Sequence, residues 1–317
     1  MNVRGATARA TLFAAATGAL GASARSLDPP PLRHGPERLA ILYREREPEA
    51  KETLFRKIND ERTAAGVPAL KYDLLAAKVG DEFCLDAAAN GTTGHWDLMG
   101  RAPYLRWALA GGVDYHGQNV GAVSRTGAPI RTAEVAECLM DSHARMMAER
   151  PPDDGHRRTV LDPMWTHVGI GIAAVGGEFR MTEEYSRKVA TWVEIPSAPV
   201  RAGGSASFEA QLPSGWNVGA IEVMYEKPPQ PLSARELARR RSYQFPPVVL
   251  KLLPVLAGGF RYSDGSAGDF RVVNGRLKLR VPLASGTGNY YVLVYAAQGS
   301  AFGRQLSPIT GALVIAE

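Results

Sequence analysis

Gly155-His156 and Val168-Gly169-Ile170-Gly171, whose Gly169 lies thirteen residues past the histidine, are the stretch from which the rest of the chain is best read. The segment from His167 to Val175 predicts a strand bounded by turn residues, and its two alternating glycines admit close approach of another backbone. That marks packing rather than a phosphate loop, which would need its glycines at a helix start. Upstream, His95 opens a second run of landmarks through Gly100, Arg101, Arg106 and Gly111 to Gln118-Asn119. Imidazoles both hydrogen-bond and ligate metals. His95 and His156 are therefore the candidate centre of a polar pocket.

Around these landmarks the periodicity is mainly helical. Leu54, Phe55, Ile58 and Ala65 repeat at helix spacing from Lys51 until Gly66-Val67-Pro68 stops the run. Asp73 is placed to cap a helix over Leu74 to Ala89, with Leu75, Val79, Phe83 and Ala87 on one stripe and Asn90-Gly91 ending it. A third helix is expected from a Thr132 cap, with Val135, Ala136, Leu139 and His143 or Met146 on one side, closed by Pro151-Pro152. Strand-like pieces lie at Gly117 to Ser124, His167 to Val175 and Phe179 to Glu184. Residues 48–194 thus read as one α+β domain, preceded by an arm over 25–47 that holds Pro29-Pro30-Pro31.

Beyond Ile195-Pro196 the pattern changes to short alternating segments at Ser205 to Gln211, Gly219 to Tyr225, Leu277 to Pro282 and Tyr290 to Ala296. Residues 197–317 therefore predict an all-β sandwich, and Gly286-Thr287-Gly288 leading into Tyr290-Tyr291-Val292 resembles the turn into a late strand of immunoglobulin-like domains. His is absent after His167 and Cys after Cys138, so this half reads as a packing or interaction module. A cell-envelope or protein partner is the expectation for it.

Composition bounds the function. The 317 residues carry 45% apolar and 22% charged side chains and a net charge of +5, without the dense Lys/Arg stripe of a nucleic-acid binder. Nucleic acid is not an expected partner. The basic cluster Arg235, Arg239, Arg240 and Arg241, on a short helix capped by Ser233, reads as a solvated face. Arg4 and Arg9, a weakly apolar stretch to Leu20 and Ala22-Ser23-Ala24 have the form of a signal peptide over 1–24, so export to an extracellular or periplasmic space is expected. No later segment approaches the roughly 20 apolar residues of a transmembrane span. Cys84 and Cys138 stand open between a bridge and two buried thiols.

Taken in order, Asn59 and Arg62 followed by Gly66 and Leu70, the helix running to His95, the Gly-Arg landmarks, Gln118-Asn119 and Gly155-His156 before Gly169 resemble the CAP superfamily. That group contains the cysteine-rich secretory proteins, antigen 5 and the pathogenesis-related proteins, and its bacterial members are the nearest in pattern. The resemblance covers about residues 51–194. It implies an α-β-α sandwich in which His95 and His156 match two histidines that line a central cleft with two glutamates. Here Gln118 stands at the first glutamate and Ser142 at or beside the second, while Asn119 is expected to tie its segment to its neighbours. An amide cannot take a proton near neutral pH, so hydrolysis through four such groups is disfavoured.

The expected cleft is thus His95, Gln118, Asn119, Ser142 and His156, with no catalytic residue assigned. It would bind a small molecule, lipid or peptide, or a weakly held divalent metal such as zinc on His95 and His156. A third metal ligand is left open among Asp97, Asp141, Asp153, Glu183 and Glu184. Two other readings stand beside this one: a metal-assisted hydrolase or peptidase, and an extracellular adhesion or envelope-interaction protein. His116 is expected on an exposed loop, and Trp96, Trp107, Tyr104 and Tyr115 near the cleft as core aromatics or as a stacking rim.

Overall fold

The computed structural model describes residues 47–240, 242–301 and 304–317. The expected signal peptide, residues 25–46 of the arm and Arg241 lie outside them. Helix α1 (Glu47–Ala64) leads to the short strand β1 (Lys71–Tyr72) and helix α2 (Leu74–Asn90). Helix α3 (Pro103–Leu109), strand β2 (Tyr115–Ser124), helices α4 (Thr132–Ala148) and α5 (Gly155–Leu161), and strands β3 (His167–Val175) and β4 (Glu178–Arg187) complete the first half. The four strands form one sheet in the order β1-β3-β4-β2, with β2 at an edge.

Local chemistry explains the helix ends. The Asp73 carboxylate accepts from the Leu75 and Ala76 amides, and Gly91 takes the left-handed φ of 63° that terminates α2. Helix α4 begins at Thr132, the residue expected to cap it: Arg131 occupies the cap position instead, and the Glu134 carboxylate accepts from its amide at 2.8 Å. Helix α1 ends with Arg62 buried where Ala65 had been expected; Ala65 is exposed.

Strand alternation sorts the two faces of the sheet. Val168, Ile170 and Ile172 of β3 and Phe179, Met181 and Tyr185 of β4 share a core with Leu54 and Ile58 of α1 and Val135 and Leu139 of α4. The intervening residues face α2. A Cβ on Gly169 would lie 2.2 Å from the Ala77 amide nitrogen, and one on Gly171 2.2 Å from the Gly80 carbonyl carbon, so α2 rests directly on the β3 backbone. These glycines serve packing, as expected.

The second half contains β5 (Thr191–Glu194), β6 (Ser205–Gln211), β7 (Trp216–Glu226), a one-turn helix α6 (Ala234–Leu237), β8 (Val248–Leu252), β9 (Val272–Val273), β10 (Arg276–Pro282), β11 (Gly288–Gln298) and β12 (Ser307–Ala316). Two four-stranded antiparallel sheets, β5-β6-β10-β9 and β12-β11-β7-β8, enclose one core. Phe208, Leu277 and Val281 of one sheet meet Ile221, Val223, Val292 and Ile309 of the other. This is a β-sandwich.

The two halves also share a core. Trp96, Tyr104 and Leu105 pack with Met224, Leu232, Leu237, Tyr291 and Leu293. Among the described residues, no helix is long and apolar enough to cross a membrane. Cys84 and Cys138 are both buried free thiols, and burial pushes the Cys84 thiol well above its ordinary pKa.

Candidate functional site

The site is gathered along β2, the outer strand. Because neighbouring residues of a strand point to opposite faces, Gln118 and Asn119 serve different sides: Gln118 lies opposite Glu184, and Asn119 opposite Glu183. His95 is joined to the first face and His156 to the second.

On the α2 face, the Gln118 Nε2 donates to Glu184 Oε1 at 2.7 Å, and His95 Nδ1 lies 2.9 Å from Gln118 Oε1. A carboxylate only accepts, so the amide must turn its NH₂ to Glu184 and its oxygen to His95. His95 then donates from Nδ1, and its Nε2 carries a lone pair. Burial drives the His95 pKa down to about 4; His156 and Arg106 lower it further, against the pull of Gln118 and Glu184. His95 is neutral at physiological pH.

Arg106 fixes this segment by donating to the carbonyls of His95 and Arg101 at 2.9 and 2.7 Å, its guanidinium 4.0 Å from the centre of the Phe83 ring. His116 corrects an expectation. It lies in β2 rather than on an exposed loop, stacks on Trp107 with ring centres 5.2 Å apart, and places Nε2 3.0 Å from Glu184 Oε2. Burial raises the Glu184 carboxyl, but His116, Arg106 and Gln118 outweigh it and hold the group below its ordinary value.

On the opposite face, Asn119 Nδ2 bridges the His156 carbonyl at 3.2 Å and Glu183 Oε2 at 3.0 Å, which is the tying role expected of it. The His156 imidazole is held by a residue the sequence reading did not single out. Glu149 Oε1 lies 2.5 Å from His156 Nδ1, and Glu149 Oε2 accepts from the His156 amide at 3.0 Å. The pair spans the turn between α4 and α5, where neither helical nor strand spacing signals a contact. His156 therefore also donates from Nδ1 and leaves Nε2 to the solvent side.

Ser142 stands apart from both histidines, contrary to expectation. Its hydroxyl donates to the Cys138 carbonyl one turn back on α4, at 2.7 Å, and its Cβ faces Gly121 across the sheet. Near it lies a buried chain that does carry carboxylates. His143 is held between Glu183 Oε1 at 2.6 Å and Glu61 Oε2 at 2.7 Å, and the Tyr185 hydroxyl donates to Glu183 Oε2 at 2.8 Å. Burial alone would lower the His143 pKa, but the two carboxylates raise it to about 9.

Each imidazole spends its Nδ1 on a protein acceptor, Gln118 for His95 and Glu149 for His156. The Nδ1 partners leave both Nε2 atoms as acceptors, and the Glu149–His156 pair has the form of the outer carboxylate that orients a ligating imidazole. Among the described residues no three His, Cys, Asp or Glu side chains are grouped to hold a metal. Of the carboxylates left open, Asp97 is engaged by Arg101, Asp141 by Arg145, Glu183 by His143 and Glu184 by Gln118.

Residues 55–185 match the model of the cysteine-rich secretory protein family, CAP. Among solved structures, the chain is similar to an extracellular protein containing a SCP domain from Bacillus anthracis, with 22% identity, 44% of this chain and 41% of that one covered, and a TM-score of 0.34. An outer surface protein from Borrelia burgdorferi is similar at 15% identity, covering 44% of this chain and 92% of that one, with a TM-score of 0.33. The chain spans about two fifths of the Bacillus anthracis protein's length. No curated protein matches it.

Proposed function

We propose, from the match of residues 55–185 to the CAP family model, that the protein is exported and binds a small ligand or a divalent cation in a histidine cleft, without hydrolysis. One observation carries this reading. His95 and His156 each spend Nδ1 on an acceptor, Gln118 and Glu149, so each keeps an Nε2 lone pair for a ligand. Gln118, an amide, takes no part in proton transfer, and Glu184 behind it is engaged by the amide it orients.

Zn²⁺ is the probe of the cation reading. Calorimetry on the wild type should give saturable heats that a His95→Ala/His156→Ala double variant loses, with Kd in about the micromolar range or weaker for two imidazoles and water. Equal heats from both proteins would sink the cation reading.

A second reading is favoured by Glu149. A carboxylate on Nδ1 orients an imidazole and stabilises its protonated form, which is what a general base requires. In a hydrolase His156 would then take a proton at Nε2, the atom that the cation reading gives to the metal, so the two roles exclude each other at this residue. Glu149→Gln separates the two readings: loss of a hydrolytic activity on peptide or ester substrates supports the hydrolase, whereas unchanged absence of turnover with intact Zn²⁺ heats supports binding.

A further inference from the structure

The β-sandwich contributes to the site directly. Strands β7 and β8 pair as antiparallel neighbours, a connection that commonly needs only about 2–5 residues. Here residues 227–247 intervene, and the described ones, 227–240 and 242–247, leave the sandwich to lie across the loop that carries His95. The Leu232 amide donates to the Leu98 carbonyl at 2.8 Å, and Trp96 Nε1 donates to the Ser242 carbonyl at 3.0 Å. Leu232 and Leu237 bury themselves against Trp96, Tyr104 and Leu105, and the Phe245 ring stacks on Tyr104 at 4.5 Å. The fit is close: Gly100, at a φ of 72°, could not carry a Cβ, which would fall 2.1 Å from the Gln230 carbonyl oxygen.

Arg240, expected on a solvated face, instead sets its guanidinium 5.4 Å from the centre of the Trp96 ring. Tyr243 follows two residues beyond Arg241. Its ring centre lies 4.8 Å from that of His95, and its hydroxyl accepts from the Gln118 amide at 2.7 Å. His95 is consequently 9% exposed, while the His156 side chain is 36% exposed.

We propose that residues 227–240 and 242–247 form a strap over the His95 side of the cleft, in which Tyr243 is a positioning residue: its ring covers the imidazole and its hydroxyl holds the Gln118 backbone. The proposal deepens the binding reading and rests on it for its meaning. A ligand reaching His95 Nε2 does so beside an aromatic wall supplied by the other half of the chain. Such a pocket takes a small occupant, a hydrated divalent cation or a slim polar molecule, in preference to a polymer laid across both imidazoles.

Diethyl pyrocarbonate tests it on the full chain, since the reagent modifies neutral imidazoles and peptide mass spectrometry reads His95 and His156 separately. In the wild type His95 should react at least about tenfold more slowly than His156, and Tyr243→Ala should erase most of that difference while His156 stays within about twofold. Tyr243→Phe keeps the ring and should keep His95 protected within about twofold. It removes the acceptor of the Gln118 amide, whose hydrogen exchange should quicken by at least about tenfold.

An equal His95 rate in the wild type and Tyr243→Ala overturns the proposal, as does a joint acceleration of His95 and His156, which would signal general loosening. These rates need no metal. Failure to bind Zn²⁺ therefore removes the cation reading without touching the strap, and failure of the protection pattern removes the strap without touching the heats.

Discussion

At the scale of single residues, several sequence landmarks have a structural cause. Asn59 Nδ2 donates to the Leu70 carbonyl at 3.1 Å, and its Oδ1 accepts from the Leu70 amide at 2.7 Å. Arg62, fully buried, donates to the carbonyls of Pro68, Val160 and Asp162. Both clamp the turn after α1. Asn59→Ala should destabilise the protein by about 2–3 kcal/mol in urea unfolding, since it leaves the Leu70 backbone groups unpaired as well as removing two bonds. Two histidines set the pH response in opposite directions. His95 has a folded pKa near 4, below its ordinary 6.5. The unfolded chain therefore takes up a proton that the folded one refuses, and stability falls as the pH drops from about 6.5 toward 4, by roughly 3 kcal/mol at the limit. His143, raised to about 9, contributes stability fully present below about 6.5 and lost as the pH rises through about 9. The His95 contribution is read as the difference in unfolding free energy between wild type and His95→Gln, because Asp114, raised to about 7, and Asp81, raised to about 6, act in the opposite direction over the same range. His143→Gln should flatten only the alkaline slope, and a variant that kept the alkaline slope would contradict the assignment.

At the scale of elements, β2 decides which groups meet. Alternation sends Gln118 to Glu184 and Asn119 to Glu183, so Ser142 of α4, on the far face, was never placed to join the pair at Gln118. The same strand explains why an amide suits position 118. Gln118→Glu would set two carboxylates at the 2.7 Å separation now bridged by an N–H, and one would have to keep its proton. Stability at pH 7 should drop by about 1–3 kcal/mol and recover toward pH 5; an unchanged pH profile would contradict this. The contact of α2 on β3 is equally demanding. Gly171→Ala should cost about 1–3 kcal/mol or more, because the obstacle is Gly80 backbone that cannot rotate aside.

At the scale of the whole molecule, the interface between the halves is continuous with the site. Trp165, Tyr115 and Phe245 stack in succession at 5.7 and 5.5 Å, and Phe245 meets Tyr104 and Tyr291. The hydroxyls of Tyr104 and Tyr291 both donate to Glu226, whose carboxyl is raised by burial despite these bonds. Arg187 adds a bond to the Pro308 carbonyl, and the Trp192 indole one to Val113. An apolar interface of this kind holds two units as one body. Calorimetry should show a single unfolding transition in the wild type, and Phe245→Ala should lower it by several degrees and separate it into two. A wild type that already melts in two steps would contradict this coupling.

Much of this was legible in the chain itself. Helix periodicity, the Asp73 and Gly91 caps, the paired glycines of β3 and alternating segments such as Ser205 to Gln211 are local signals, and local chemistry decided them. Strands β1, β5, β8, β9 and β12 and helices α3 and α5 were missed, β12 because Ser307 to Ala316 is largely buried and lacks clean alternation. What the cleft contains was decided only in three dimensions. Glu149 meets His156 across a turn, Glu184 meets Gln118 through strand pairing, and Tyr243 reaches His95 from the other half of the chain. A sequence determines which faces of its elements must be buried. The neighbours of a histidine depend on how those faces close on one another, and contacts made across a turn, between paired strands or between the two halves of the chain leave no local period to read.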